Sequence, residues 1–283
     1  MPVGLSVLFW NLQRKDLSRS LCRLIKSHGI DIVVLAESYA SAATVRNDLE
    51  ATSGSSVFNP SQQGLEVKTQ VFIVGQGEIV RHVAQVDPRG RVAMYSVACP
   101  PFPEFLLVCF HLTSKLFDEE ESLSEESKEM MSLTRTAARS EGVDRLLLCG
   151  DFNQNPYDLG MRTAAGFNAT MDRKIAQRGS RQIQGRDYPL LYSPMWSLLG
   201  DFPSGPPGTF YHSSASHTTS HWHMLDQFLL SPQLLAEADL LEVEVVHTDG
   251  VESLLSQSGL PSSKHSDHLP IRIKLGAKNE SRA

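Results

Sequence analysis

The chain has few cysteines and lacks long apolar segments. Only 4 of its 283 residues are cysteine, and no two of them form a CxxC pair. Such sparse thiols are typical of reduced, buried side chains in a cytosolic protein and argue against a disulfide framework. The apolar run at residues 5–10 is too short for a secretory signal and has no basic residues before it, and no run reaches membrane-spanning length. We therefore expect a cytoplasmic protein without a membrane span.

Basic residues are also scarce. Lysine and arginine number 26 against 32 aspartate and glutamate residues, which gives a formal net charge of −6 at pH 7. Proteins that bind nucleic acid through charge alone are usually basic, so the composition disfavours such binding unless a local basic patch or a metal compensates. The hydrophobic content of 41% is ordinary, and a chain of this length can bury a substantial core without disulfides.

Apolar runs and helical patterns alternate along the chain without an internal repeat or a linker. Strand-like runs occur at 5–10, 30–36, 71–74, 78–86, 91–98, 105–111, 146–149, 208–211, 225–230, 240–247 and 269–274. Helical patterns occur at 17–28, 41–51, 117–140, 194–199 and 232–238, the third of them strongly acidic near its start. The order predicts one α+β domain over residues 1–276 and a flexible polar tail over residues 277–283.

The most informative stretch is Gly150-Asp151-Phe152-Asn153, directly after an apolar strand. In an extended segment Asp151 and Asn153 point the same way while Phe152 points into the core. An acid and an amide side by side can orient a water and hold a phosphate oxygen. An Asx-rich turn after Gly150 would have the same composition, so the motif alone leaves both interpretations open.

Other polar residues stand at the ends of apolar runs. Glu37 follows one strand, His111 ends another and Asp226 precedes a third. The dipeptide Asp267-His268 offers a carboxylate for a metal and an imidazole for a charged phosphate, with Asp226 as a candidate partner for the histidine. Each residue alone fits an ordinary surface or strand-end position. Together and in this order they favour an oxygen-rich site for a hard divalent metal and a phosphate.

Two loops offer further candidates. A glycine-containing segment that we predict to be irregular carries Arg173, Lys174, Arg178, Arg181 and Arg186, and it fits either a phosphate-binding loop or an ordinary exposed loop. A second loop, 201–224, contains four histidines. We favour a flexible substrate loop over a zinc site there, because no paired cysteine or adjacent helix supports zinc. Those histidines are His212, His217, His221 and His223.

The motif set resembles that of the endonuclease/exonuclease/phosphatase superfamily, which includes deoxyribonuclease I, the exonuclease III-type abasic-site endonucleases, inositol polyphosphate 5-phosphatases and neutral sphingomyelinases. The resemblance extends from about residue 5 to about residue 275. It implies a four-layer α/β sandwich, in which helices flank two packed mixed β-sheets. It also implies cleavage of a phosphoester by an activated water with Mg²⁺ or Mn²⁺. The matching residues are Asn11, Glu37, His111, Gly150–Asn153, Asp226 and Ser266–Pro270.

The resemblance assigns a role to each matching residue. Glu37 would be the main metal ligand, supported by Asn11 and Asp267. Asp151 would orient or deprotonate the attacking water, and Asn153 would hold the phosphate. His268, oriented by Asp226, would stabilise charge in the transition state. His111 would contact the phosphate or protonate the leaving oxygen.

Two departures from the family pattern bear on the substrate. Ala36-Glu37-Ser38-Tyr39 differs from the Gln-Glu-Thr-Lys-like motif of the abasic-site endonucleases, which also have tyrosine where His111 stands. Deoxyribonuclease I pairs an acid with that histidine, whereas Thr69 and Gln70 occupy the region here unless Glu66 serves. We therefore expect a nuclease outside abasic-site repair, with a phosphatase or phosphodiesterase of small molecules or lipid headgroups as the alternative. No protein partner is expected, and DNA and RNA both remain open as substrates.

Overall fold

The computed structural model describes residues 4–60, 67–75, 80–85, 87–114, 120–201, 204–213 and 221–277. The strands are β1 (Gly4–Asn11), β2 (Ile32–Ala36), β3 (Val57–Phe58), β4 (Thr69–Val74), β5 (Val80–Gln85), β6 (Val92–Val97), β7 (Phe105–His111), β8 (Leu146–Asp151), β9 (Ala169–Thr170), β10 (Ser180–Ile183), β11 (Arg186–Pro189), β12 (Leu191–Tyr192), β13 (Phe210–Tyr211), β14 (Trp222–His223), β15 (Asp226–Leu230), β16 (Ala238–Val245) and β17 (Ile271–Ala277). The helices are α1 (Ser18–His28), α2 (Ala42–Ser53), α3 (Glu120–Glu141), α4 (Leu159–Arg162), α5 (Arg173–Ala176) and α6 (Pro232–Glu237), and a 3₁₀ turn spans Pro194–Leu198.

Two large mixed sheets organise the fold. The first sheet has the order β16-β17-β1-β2-β4-β3, and the second has the order β5-β6-β7-β8-β15-β12-β9. Each contains a central parallel pair, β1 with β2 and β7 with β8, flanked by antiparallel neighbours. Two hairpins, β10-β11 and β13-β14, stand apart from the large sheets.

Alternation along the strands of the second sheet explains the layers. Successive side chains point to opposite faces of a strand. Leu107 and Leu147 therefore join the core that is shared with the first sheet and with α1. Their neighbours Val108 and Leu148 join a separate core that includes residues of α3 and α4. Helices thus flank two packed sheets, and the predicted α+β four-layer architecture is confirmed.

Local sequence signals define the ends of the first two helices. Gly29 ends α1 in a left-handed conformation, with φ 60°. The Ser41 side chain caps α2 by accepting a hydrogen bond from the Thr44 N–H. All four cysteines are free, and all except the partly exposed Cys99 are buried. No helix in the described ranges combines the length and apolar character needed to cross a membrane.

Other expectations need correction. The segment predicted to be irregular around Arg173 to Arg186 instead forms α5 and the β10-β11 hairpin. The acidic residues near the start of α3, which would usually form a solvated helix face, are not all exposed, because Glu126 is buried and accepts from the Thr113 N–H and hydroxyl. Residues 115–119 lie outside the described residues. In the predicted tail, Ala277 still belongs to β17, and residues 278–283 also lie outside the described part.

Position 150 requires glycine because the backbones of β7 and β8 come very close together at the residue before Asp151. Gly150 has φ 152°, and a Cβ added there would lie 2.1 Å from the backbone oxygen of Phe110. We expect Gly150→Ala to lower the free energy of unfolding by about 2 kcal/mol or more, since a neighbouring strand backbone cannot yield cheaply. Denaturant titration measures the change. Gly142→Ala, with φ 69° but open space around the added Cβ, should cost only about 1 kcal/mol. Equal costs would contradict the steric explanation.

Candidate active site

The strand ends that were predicted to carry chemistry meet at one edge of the two sheets. The parallel pair β7 and β8 places His111 beside Asp151, and antiparallel β15 places Asp226 on the other side of Asp151. In the first sheet β2 ends level with Asn11, and Glu37 follows at once. A cleft of about 480 Å³ opens at this edge and is lined from both sheets.

Asp151 is a buried carboxylate at the centre of the cleft. Its Oδ2 accepts from Asn11 Nδ2 at 3.0 Å, and its Oδ1 accepts from the Asn153 N–H at 2.9 Å. Nε2 of His111 and Nε2 of His268 each lie 4.0 Å from Oδ2. Burial raises the pKa of Asp151, although His268 opposes the shift. A carboxylate with a raised pKa that faces a cleft is a candidate general base.

His268 is an oriented and positively charged imidazole. Its Nδ1 lies 2.9 Å from Oδ2 of Asp226, which is fully buried. Burial disfavours the imidazolium, but the charges of Asp226 and Asp151 outweigh it and raise the pKa of His268 to about 10. At neutral pH both ring nitrogens therefore carry protons. Nδ1 donates to Asp226, and the Nε2 proton is available on the side of Asp151.

His111, unlike His268, is a neutral imidazole. Its Nε2 lies 3.6 Å from Glu37 Oε1, and its Nδ1 has no hydrogen-bond partner among the described residues. Burial lowers the pKa of His111 in spite of Asp151 and Glu37, so the ring is neutral at pH 7. The buried hydroxyl of Thr69 likewise has no partner within the described ranges, and Glu66, the acid considered above, lies outside them.

Glu37 and Asn11 form the wall contributed by the first sheet. Glu37 has φ 45° and a side chain that is 33% exposed, so its carboxylate faces the cleft. Asn11 Nδ2 lies 3.4 Å from Glu37 Oε1 and also donates to Asp151. The Asn11 oxygen instead accepts from the Gln13 N–H at 3.0 Å. Asn11 therefore presents its amide nitrogen, rather than its oxygen, to the two carboxylates.

Asp267 reaches the same wall from the opposite end of the chain. The Ser266 hydroxyl donates to the Asn11 backbone oxygen at 2.6 Å, and Trp10 Nε1 donates to the His268 backbone oxygen at 2.8 Å. These bonds fix the segment before β17 against the end of β1. Asp267 consequently lines the cleft, where its Oδ2 accepts from Gln13 Nε2 at 2.9 Å.

Phe152 points into the core and Asn153 toward the cleft, but an Asx turn rather than an extended segment arranges them, because Asp151 Oδ1 accepts from the Asn153 N–H. Phe152 is fully buried and stacks on Phe110 with ring centroids 5.2 Å apart. Asn153 lines the cleft in a left-handed conformation, with φ 51°, and its Nδ2 donates to the Leu112 oxygen at 3.0 Å. This bond uses the amide nitrogen of Asn153, so its side-chain oxygen is the atom that can bind a ligand.

Neither family models nor curated proteins match the chain, whereas solved structures match almost its whole length. An endonuclease/exonuclease/phosphatase family protein from Bacteroides thetaiotaomicron matches with a TM-score of 0.59 and 14% identity, over 99% of this chain and 100% of that one. The chain has the endonuclease/exonuclease/phosphatase fold. D. rerio TDP2 complexed with a single-strand DNA product matches with a TM-score of 0.55 and 16% identity, over 97% and 99% of the two chains. The endonuclease domain of TRAS1, a telomere-specific non-LTR retrotransposon, matches with a TM-score of 0.53 and 18% identity, over 98% and 99%.

A hard divalent cation fits one side of this cleft better than the other. Among the described residues, Asp151, Asp226 and His268 bring three possible ligand atoms within 4.8 Å of one another. Asp226 is fully buried, however, and both of its oxygens face His268 Nδ1, at 3.1 and 2.9 Å. Glu37 and Asp267 instead offer partly exposed carboxylates to the cleft, which suits the oxygen preference of Mg²⁺ and Mn²⁺.

Two cleft cations were not among the candidates from sequence. Lys68 and Arg91 line the cleft on the His111 side. Arg91 Nε lies 3.2 Å from Oε1 of buried Glu126, and Arg91 Nη1 lies 3.5 Å from the His111 backbone oxygen. Glu126 also binds Thr113, as described above, so it fixes the guanidinium at the rim. Lys68 and Arg91 thus place two cations at a cleft that is also lined by three carboxylates, with Arg91 paired to Glu126.

None of the five basic residues from Arg173 to Arg186 lines the cleft. Arg173 lies over the Tyr192 ring, 5.3 Å from its centroid, and Arg181 Nη2 donates to the Arg162 backbone oxygen. The set Arg173, Lys174, Arg178 and Arg181 belongs to α5, the following turn and β10. Any contact with a substrate would therefore occur beyond the cleft.

The histidine loop contributes to the cleft as part of the β13-β14 hairpin. His212 and His223 line the cleft beside Phe210, whose ring lies 4.9 Å from that of His268. His221 Nδ1 lies 3.3 Å from the His212 backbone oxygen, and His217 lies outside the described residues. Within the described part of the chain, these histidines form no cluster of three metal-binding side chains, so the structure gives the zinc alternative no support there.

Proposed function

We propose that the protein is a divalent-metal-dependent hydrolase that cleaves the phosphodiester bonds of nucleic acid. One observation carries this proposal. The buried Asp151 carboxylate lies 4.0 Å from both His111 Nε2 and His268 Nε2, with the Glu37 carboxylate 3.6 Å from His111. Acid, base and cation-binding groups thus converge on a single position, as attack on a phosphate requires.

The cation would be Mg²⁺ or Mn²⁺, held by Glu37 and Asp267 with Asn11 in support. When bound, it would polarise a phosphoryl oxygen as a Lewis acid. Asn11 would act through its amide nitrogen, which holds the carboxylates of Glu37 and Asp151 in place. The low number of carboxylates is consistent with Mg²⁺, which keeps several of its waters.

Asp151 would orient the attacking water and accept its proton. Hydrogen bonds from Asn11 and Asn153 fix both carboxylate oxygens, so the group is preorganised. Its raised pKa brings its basicity closer to neutral pH, which favours proton transfer from water. Asn153 would hold a phosphate oxygen through the side chain that lines the cleft.

The two histidines would have different roles, with His268 stabilising negative charge and His111 contacting the phosphate. His268, kept as imidazolium by Asp226, would donate from Nε2 to the phosphate oxygen on which charge develops. His111 is neutral at pH 7 because burial lowers its pKa, so it is better suited to contact the phosphate than to protonate the leaving oxygen. This assignment chooses between the two roles that the family resemblance left open.

Two observations favour a polynucleotide substrate. Structures with the same fold include a TDP2 complex with a single-strand DNA product and the endonuclease domain of TRAS1. Lys68 and Arg91 place positive charge next to the reacting position, where a second phosphate of a polynucleotide would lie. The basic residues of α5 and β10 would contact a chain long enough to extend beyond the cleft.

A small phosphoester is the second candidate. The overall charge of −6 disfavours a long polyanion, and the cleft volume of about 480 Å³ is in the range of small-molecule sites. Such a substrate would be hydrolysed without any contribution from α5 and β10.

The test compares supercoiled plasmid, single-stranded DNA, RNA, the diester bis(p-nitrophenyl) phosphate and the monoester p-nitrophenyl phosphate as substrates, with Mg²⁺ or Mn²⁺. Cleavage of nucleic acid that EDTA abolishes would support the proposal. Hydrolysis of small esters alone would favour the second candidate, and no hydrolysis of any ester would reject both. An alanine variant of the four distal basic residues should slow polynucleotide cleavage and spare the small esters. Its matched control replaces the exposed basic residues Arg19, Lys26, Arg81 and Arg139.

Glu37→Gln should weaken metal dependence before it alters chemistry. The substitution keeps the shape of the side chain but removes a carboxylate charge from the side of the cleft that suits a cation. We expect the Mg²⁺ concentration for half-maximal activity to rise about 10-fold or more, with partial rescue at saturating Mg²⁺. Glu121→Gln, at an exposed position of α3, is the control. An unchanged Mg²⁺ requirement would contradict the role of Glu37.

A further inference from the structure

The turn after β1 contacts both residues that are proposed to hold the metal, Asp267 through its carboxylate and Glu37 through its backbone. Gln13 Nε2 donates to Asp267 Oδ2 at 2.9 Å, and its backbone N–H donates to Asn11 Oδ1 at 3.0 Å. The next residue, Arg14, donates its N–H to the Glu37 backbone oxygen at 2.8 Å. Glu37 and Asp267 come from distant parts of the sequence, so their relative position depends on contacts of this kind.

The backbone of this turn is strained. Gln13 has φ 50°, Arg14 has φ 57°, and Glu37, which the turn contacts, has φ 45°. Side chains other than glycine, asparagine and aspartate rarely adopt this left-handed conformation. Strain of this sort persists only where surrounding contacts enforce it, and it concentrates at functional sites. Here it directs the Gln13 side chain toward Asp267.

We propose that Gln13 is a positioning residue that holds Asp267 ready to bind the divalent cation, an inference that rests on the metal-dependent function proposed above. Carboxylate ligands of metals are usually fixed by hydrogen bonds from neighbouring groups. Gln13 supplies such a bond although its own side chain is exposed. Because its amide is neutral, Gln13 fixes Asp267 without adding a third carboxylate to Glu37 and Asp267.

The amide nitrogen is the essential atom in this role, and Gln13→Glu tests that point. The variant has the same shape but replaces the N–H donor by an acceptor that repels Asp267. If Gln13 acts only by positioning Asp267, Gln13→Glu should bind Mn²⁺ more weakly than the parent. If the side chain itself reached the cation, the added carboxylate would strengthen binding.

The experiment is calorimetric titration of the full chain with Mn²⁺, together with unfolding midpoints measured with and without Mn²⁺. We expect Gln13→Ala to bind Mn²⁺ about 10-fold more weakly and to lose part of the Mn²⁺-induced rise in midpoint. The metal-free midpoint should not fall, since the exposed side chain contributes no core packing. Gln184→Ala is the matched control, because Gln184 is also exposed and left-handed, with φ 50°, but lies at the tip of the β10-β11 hairpin.

Each outcome bears on the proposal. Weaker Mn²⁺ binding in Gln13→Ala and Gln13→Glu, with Gln184→Ala unchanged, would support it. Parent-like affinity in Gln13→Ala, tighter binding in Gln13→Glu, or equal weakening in Gln184→Ala would overturn it and leave the proposed function standing. No Mn²⁺ binding by the parent protein would overturn the metal-dependent function and this inference together.

Discussion

Asp151→Asn is expected to lower the rate of phosphodiester cleavage by about 10²–10⁴-fold, without loss of the fold. The amide oxygen can still accept from Asn11 or Asn153, so the local hydrogen bonds persist in part. It cannot take a proton from water. Because burial raises the pKa of Asp151, its charged form is disfavoured in the folded protein, and a neutral amide relieves that cost. The unfolding midpoint should therefore equal or exceed that of the parent. Initial rates on plasmid and thermal unfolding provide the two measurements.

Asp249→Asn is the matched control for Asp151→Asn. Asp249 is equally buried but lies outside the cleft, where it accepts from the N–H groups of Val251 and Glu252 and from Arg23. Losing this charge should cost about 1–3 kcal/mol of stability and leave the rate per folded molecule unchanged. Asp151→Asn should thus lose activity but keep stability, whereas Asp249→Asn should lose stability but keep activity. A normal rate in Asp151→Asn would remove Asp151 from the proposed chemistry.

Much of the site could be predicted because its residues stand at strand ends. A strand such as 32–36 is buried on both faces, so the first residue after it must emerge at a sheet edge. Glu37 follows this rule, and His111 and Asp151, the last residues of β7 and β8, lie side by side at the corresponding edge of the second sheet because their strands pair in parallel. The order of the motifs then indicated one known fold, and the similar solved structures support it.

Arg91 shows a signal that was present in the sequence but was not used. The apolar runs 91–98 and 105–111 predict an antiparallel hairpin, and in such a hairpin the first strand begins where the second ends. The observed register pairs Val92 with Phe110, which puts Arg91 next to His111. The position of Gln13 had no comparable signal, because its conformation depends on contacts with Glu37 and Asp267 from distant segments.

The basic segment shows the limit of composition. Clustered arginines after the Asp151 turn suggested a loop at the site, but composition does not define direction. The pairing of short strands determines where the segment lies. β9 pairs with β12 at the edge of the second sheet, and the β10-β11 hairpin lies next to them in the chain. Runs of two to four residues are too short for periodicity to reveal, so neither the hairpin nor α5 was predicted.

The pairing of His268 with Asp226 gives the second large effect. We expect His268→Gln to lower the cleavage rate by about 10²–10⁴-fold, because the variant loses the charged donor at the phosphate. Asp226→Asn should reduce the rate less at low pH and alter its dependence on pH. The charges of Asp226 and Asp151 overcome burial and hold the pKa of His268 near 10, so the parent should keep its rate up to about pH 9 and lose it as pH rises through 10.

Removing the Asp226 charge leaves burial to lower the pKa of His268, so the loss of rate on the alkaline side should move toward neutral pH. Rates with Mg²⁺ from pH 6 to about 10 for the parent and Asp226→Asn measure this shift. The double variant should be no slower than His268→Gln, because Asp226 acts through His268 and the two effects cannot add. Additive losses, or an alkaline limb that does not move in Asp226→Asn, would mean that Asp226 serves the fold rather than the charge on His268.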